Sequence, residues 1–185
     1  MGTCELRGWE KLRLAYKPPK VGTLFVGESP PAGGTFFYAG NSILLTQTQT
    51  AFSAALETCF QEPKAFLRAF QAMGCYLEDL CLEPINNLPK KERRFRRQQS
   101  IPSLATRLQV HAPHAIVIVH LGVEDSVRQA MNQAKLNVET CFALPFPAQG
   151  HQQRYISNLQ RAIVALKTKG LLSANQIRLC LPPRP

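Results

Sequence analysis

Short apolar runs and amphipathic stretches alternate along the chain. Residues 22–26 form an apolar run that stops at Gly27-Glu28, which predicts a strand buried on both faces. Residues 47–60 place Ala51, Phe52, Ala55, Leu56 and Cys59 at helical spacing. A second helix is expected from Pro63, a favourable first-turn proline, through Ala65, Phe66, Phe70 and Met73, with Gly74 as its stop. Residues 76–82 read as a second strand. Residues 83–99 are turn-rich and then strongly basic, which predicts a loop, and a helix with Leu104, Leu108 and Val110 is expected from Pro102. The β-branched run at 115–121, closed by Gly122, predicts a third strand, and 123–134 a helix. Residues 138–144 predict a fourth strand ending at Pro145-Phe146-Pro147. Residues 152–166 predict a helix with Ile156, Leu159, Ile163 and Leu166 on its inner face. Residues 1–20 read as an N-terminal arm, with Trp9, Leu12 and Leu14 expected to pack on the core, and 173–185 as a C-terminal tail.

Strand followed by helix, repeated, is the pattern of a parallel sheet covered on both faces. The expected fold class is therefore α/β, a three-layer α/β/α arrangement with a small, mainly parallel four-stranded sheet. The 185 residues suit a single domain. In such sheets ligands sit beyond the carboxyl ends of the strands. That draws attention to the segment after the first strand, Gly27-Glu28-Ser29-Pro30-Pro31-Ala32-Gly33-Gly34-Thr35-Phe36-Phe37-Tyr38. It combines a carboxylate, a stiff turn and flat rings.

Charge narrows the choice of partner. The net charge of +10 points to a polyanion, most simply nucleic acid. Six of the eight residues in Lys90-Lys91-Glu92-Arg93-Arg94-Phe95-Arg96-Arg97 are basic, which suits phosphate contacts. Six cysteines (Cys4, Cys59, Cys75, Cys81, Cys141, Cys180) include no Cys-x-x-Cys pair, and no apolar leader precedes them. Reduced thiols in a cytoplasmic protein are expected, with neither a cofactor nor a metal. No apolar stretch approaches the roughly 20 residues that span a bilayer, so no membrane partner is expected.

Four segments, in this order, resemble the uracil-DNA glycosylase superfamily. Gly27-Glu28-Ser29-Pro30-Pro31 is similar to its Gly-Glu-x-Pro first motif. Tyr76-Leu77-Glu78-Asp79-Leu80, with Pro84 and Asn87, resembles its second-strand segment, and residues 113–122 its third strand. Leu144-Pro145-Phe146-Pro147-Ala148-Gln149-Gly150 stands where the family has its His-Pro-Ser/Ala motif and DNA-penetrating loop. The resemblance implies a monomeric, monofunctional enzyme that flips a base out of DNA and hydrolyses its N-glycosidic bond. It assigns water positioning to Glu28 and base binding to Gly27, Ser29, Pro30, Phe37 and Asp79. The DNA-binding loop would comprise Phe146, Pro147, Gln149, Gly150 and His151. Phosphate contacts would come from Arg93, Arg94, Arg96, Arg97 and Arg154.

Two positions depart from the family pattern. Asp79 stands where Asn commonly matches the uracil edge. An ionised Asp only accepts hydrogen bonds, whereas a protonated one both donates and accepts. Phe146 stands where a His stabilises the departing base, so that role would fall to His120 or to backbone amides. Both departures also suit a non-catalytic nucleic-acid or nucleotide binder on the same fold. The four cysteines that hold an iron–sulfur cluster in some members have no counterpart in this pattern.

Overall fold

A computed structural model describes residues 8–172. The helices are α1 (Gly8–Ala15), α2 (Ile43–Ala55), α3 (Pro63–Ala72), α4 (Lys90–His111), α5 (Glu124–Gln133) and α6 (Gln152–Thr168). The strands are β1 (Thr23–Gly27), β2 (Cys75–Asp79), β3 (Ala115–Ile118) and β4 (Thr140–Ala143). They form one parallel sheet in the order β2-β1-β3-β4. This is the expected α/β/α class.

Alternation along the strands decides what each helix layer meets. Phe25 and its partner Leu77 face α2 and α3, where Phe25 packs on Phe52 and Phe70 at ring-centroid distances of 6.2 and 5.0 Å. Leu24 and its partner Tyr76 face the opposite side, where Tyr76 meets His111 of α4 at 5.6 Å. The α2 and α6 layer is tied internally by a buried Thr48–Tyr155 hydroxyl pair at 2.8 Å. On the other side α4 packs against α5. β1 leads out to β2 on one side, and the chain then returns past β1 to β3. The topological switch point therefore lies between the carboxyl ends of β1 and β3.

Several expectations from the pattern need correction. The basic run is not a loop: it is the first two turns of α4, and Pro102 lies inside that helix. Proline removes one backbone hydrogen bond, but Ile101, Leu104, Ala105 and Leu108 are buried along one face and carry the helix through. α2 starts at Ile43, four residues before its expected start, because Ser42 caps it by accepting from the Leu45 N–H at 3.2 Å. Cys59 lies beyond that helix and is exposed. Part of the N-terminal arm is helical. Trp9 packs on the core, but Leu12 and Leu14 are 41% and 43% exposed. Val110 lies on the solvent side of α4. Among the described residues, no helix is long and apolar enough to cross a membrane. The C-terminal tail lies outside the described residues.

Candidate active site

A cavity of about 340 Å³ opens at the carboxyl ends of β1, β2 and β3. Its walls include Gly27, Glu28, Ser29, Phe36, Phe37, Asp79, Arg93, His120 and Phe146. Residues from all four motif segments thus meet in one space. Pro31, rather than Pro30, lines it.

Strand alternation explains the opposite placement of the acidic groups. Asp79 pairs in register with Gly27 and shares its face, on the α2 and α3 side. A Cβ at residue 27 would lie 2.6 Å from Asp79 Oδ1, so only glycine leaves room for this carboxyl group. Glu28 is one residue further on and turns toward α4. There Arg93 and Arg97, one helical turn apart, both hold it. Arg93 Nε donates to Oε1 at 2.7 Å and Arg93 Nη2 to Oε2, while Arg97 donates to Oε1 from the other side. Two of the expected phosphate contacts, Arg93 and Arg97, are thus placed on a carboxylate. Burial opposes ionisation of Glu28, but the hydrogen bonds and charges of these arginines outweigh it and hold the pKa below the ordinary value. Glu28 is therefore a carboxylate held ionised by its partners and a weaker base than a free one.

Asp79 shows the reverse balance. It is 5% exposed, and no described residue donates a hydrogen bond to its side chain. Burial pushes its pKa up to about 7; Arg13 and Arg107 pull against this, while Glu78 and Glu28 add to the rise. Near neutral pH the group is poised between an acid that donates and accepts and a carboxylate that only accepts.

The aromatic segment divides its work. Phe36 and Phe37 both reach the cavity, while Phe37 is also packed on Tyr38 and Phe70 at 5.1 and 5.5 Å. Tyr38 is the anchor. Its hydroxyl accepts from the Leu77 N–H at 2.6 Å and donates to the Leu77 carbonyl at 3.1 Å, closing the free edge of β2. Asn41 Oδ1 accepts from the Phe36 N–H at 2.8 Å, and Asn86 Oδ1 from the Ala32 N–H at 3.0 Å, pinning the rest of the segment. Pattern reasoning missed these two asparagines; it placed Tyr38 among the flat rings of the segment but missed its bonds to Leu77. Asn87, which the resemblance singled out, is a neighbour of the one that bonds.

His120 follows β3 and faces Phe146, with ring centroids 5.6 Å apart. The Gly122 N–H donates to His120 Nδ1 at 2.8 Å, so in the neutral ring the proton sits on Nε2. Burial keeps the ring neutral by lowering its pKa. Glu28 opposes that effect, and Arg97 and Arg93 reinforce it. A Cβ on residue 122 would lie 2.6 Å from His120 Cε1, which makes this glycine a condition of the ring's position.

The loop after β4 splits. Phe146 lines the cavity and Pro147 is buried, whereas Gln149, Gly150 and His151 are exposed at its tip and do not line it. Gln149 has φ 52° and Gly150 φ 85°, a left-handed turn that aims the tip outward. The tip carries no exposed apolar side chain. Arg94, Arg96 and Arg154 are exposed; Arg96 lies 4.0 Å from Glu92. Among the described residues, no group of three or more His, Cys, Asp or Glu side chains is arranged to hold a metal ion. Compared with known proteins, the chain matches no family model and no curated relative.

Proposed function

We propose that this protein is a monofunctional DNA N-glycosidase of the uracil-DNA glycosylase superfamily, acting on a base extruded from DNA. The observation that carries the reading is the shared cavity. A fixed carboxylate, a buried carboxyl group, aromatic side chains and a neutral imidazole line one space at the switch point of a parallel sheet. The extruded base packs against Phe37 and Phe36 and presents its edge to Asp79. As the N-glycosidic bond breaks, its electron pair leaves with the base, and His120 Nε2–H donates to that base. Glu28 stabilises the cationic sugar and orients the water whose oxygen bonds to the anomeric carbon. Because attack on such a cation needs no strong base, the lowered pKa of Glu28 suits the role. The proton that the water loses is balanced by protonation of the departing base.

A second reading, a non-catalytic nucleic-acid binder, is favoured by one observation: Glu28 is already held by two arginines. Single-turnover excision on duplexes carrying one modified base each separates the two. Base release that Glu28→Gln slows about 10²–10³-fold is the expected result. Binding of every duplex without release of any base would replace the enzyme by the binder.

A further inference from the structure

On the α5 side of α4, a groove of about 580 Å³ lies beside the cavity. Lys90, Arg93, Arg94 and Arg97 line it together with His120 and the first turn of α5. Their four cationic groups face one acidic side chain, Asp125, with Glu28 behind them. Lys90 and Arg94 are exposed and have no carboxylate partner among the described residues. Arg93 and His120 line both the groove and the cavity.

The two arginines on Glu28 differ in freedom. Arg97 also donates from Nη1 to the Gly122 carbonyl at 2.8 Å, and its side chain is 18% exposed. Among the described residues Arg93 donates from its side chain to Glu28 alone, and it is 29% exposed. Arg97 is anchored at two points, and Arg93 at one group that already has a second cation.

We propose that the groove binds a phosphate group, and that this phosphate draws Arg93 away from Glu28 and leaves the carboxylate to Arg97. For the phosphate's source, a nucleic-acid backbone, the proposal rests on the base-excision reading above. A guanidinium grips phosphate with the same two-pronged geometry it uses on carboxylate. In the groove a phosphate meets Lys90, Arg94 and Arg93 at once. Glu28 then has one compensating cation rather than two, and its field at a cationic sugar strengthens only when the backbone is in place. Arg93 acts in this as a positioning residue, coupling the backbone groove to the base cavity.

The test follows the arginine side-chain Nε–H signals and the Glu28 carboxyl signal by NMR in the full chain. One titrant is inorganic phosphate. The other is a single-stranded oligonucleotide of tetrahydrofuran abasic residues, which offers phosphodiesters and no base. The expected result is that Arg93 Nε–H and the Glu28 carboxyl shift on saturation while Arg97 Nε–H stays. Replacing both Lys90 and Arg94, which are exposed, by Ala should weaken the response about tenfold, some 1.4 kcal/mol. A response to inorganic phosphate alone would keep the phosphate site and overturn the backbone as its source. Unmoved Arg93 and Glu28 signals at saturation, joint movement of Arg93 and Arg97, or native affinity in the double variant would overturn the exchange. Excision is assayed separately. Exchange without excision of any base sinks the enzyme reading and leaves the exchange standing, and excision without exchange does the opposite.

Discussion

Glu28 and Glu78 are each held by two basic side chains four residues apart on α4: Arg93 with Arg97, and Arg107 with His111. The two clamps lie about four helical turns apart on the same side of that helix. The Glu78 clamp is closed. Arg107 Nη1 donates to Oε2, His111 Nε2 lies 2.9 Å from Oε1, and Arg107 also donates to the carbonyls of Asp79 and Leu80 at 3.0 and 3.1 Å. The Glu28 clamp borders both a cavity and a groove, and Arg93 is its loose member. The same pairing chemistry therefore fastens a strand end at one site and leaves a movable charge at the other. What separates them is which neighbours seal the ion pair.

Breaking the closed clamp should have the largest effect. Glu78→Gln leaves Arg107 and His111 around an uncharged amide, and Arg13, itself 3% exposed, nearby without that anion. A loss of about 3–5 kcal/mol in unfolding free energy is expected, read by urea denaturation. A loss under about 1 kcal/mol would mean that water already reaches this clamp. The pH dependence sharpens the point. Burial raises the pKa of Glu78, but His111 and Arg107 overcome it and bring it down to about 2. Its contribution is present above the ordinary glutamate pKa and is lost as pH falls from about 4.5 toward 2.

Glu28→Gln should show the reverse profile: less stability lost than in Glu78→Gln, but excision slowed about 10²–10³-fold in single turnover. Near-native excision by this variant would remove Glu28 from the chemistry.

Asp79, next to Glu78 on β2 but on the opposite face, gives a third effect with the opposite sign in pH. Its folded pKa is raised, so the folded state holds a proton that the unfolded chain has lost between about pH 4 and pH 7. Stability should fall as pH rises through that window, by up to about 1.4 kcal/mol per pH unit, and Asp79→Asn should remove the slope. Excision of a base whose edge carries an acceptor beside a donor, such as uracil, should decline in the native protein above about pH 7 and persist in Asp79→Asn. Matching pH profiles for the two proteins would show that Asp79 does not read the base.

The smallest expected effect lies on the outer side of α4. Arg94 lines the groove, whereas Arg96 does not. Arg94→Ala should lower the salt slope of duplex binding by about 0.9, and Arg96→Ala should leave it unchanged. Equal slopes for the two variants would make α4 a diffuse basic surface with no defined phosphate position.

Much of this arrangement was legible along the chain. The apolar run ending at Gly27-Glu28, the β-branched run before Gly122 and the Pro145-Phe146-Pro147 stop mark strand ends through local steric and hydrophobic rules. Parallel topology then gathers the carboxyl ends at one rim, which is why Glu28, Phe37, Asp79 and Phe146 meet. Tertiary structure alone decided the rest. Helical phase turned Arg93 and Arg97 inward, and no local signal at residues 90–97 encodes a partner 65 residues away. Partners on α4, rather than residue type, brought Glu78 down in pKa, whereas burial without a hydrogen-bonding partner sent the adjacent Asp79 up. The tautomer of His120 is by contrast a local matter, set by the Gly122 N–H two residues on, while its place against Phe146 needed the fold. Local pattern determines which segments form and where they stop, because those energies are short-range. Partners and charge states depend on burial and on distances across the fold, which exist only once the layers have packed.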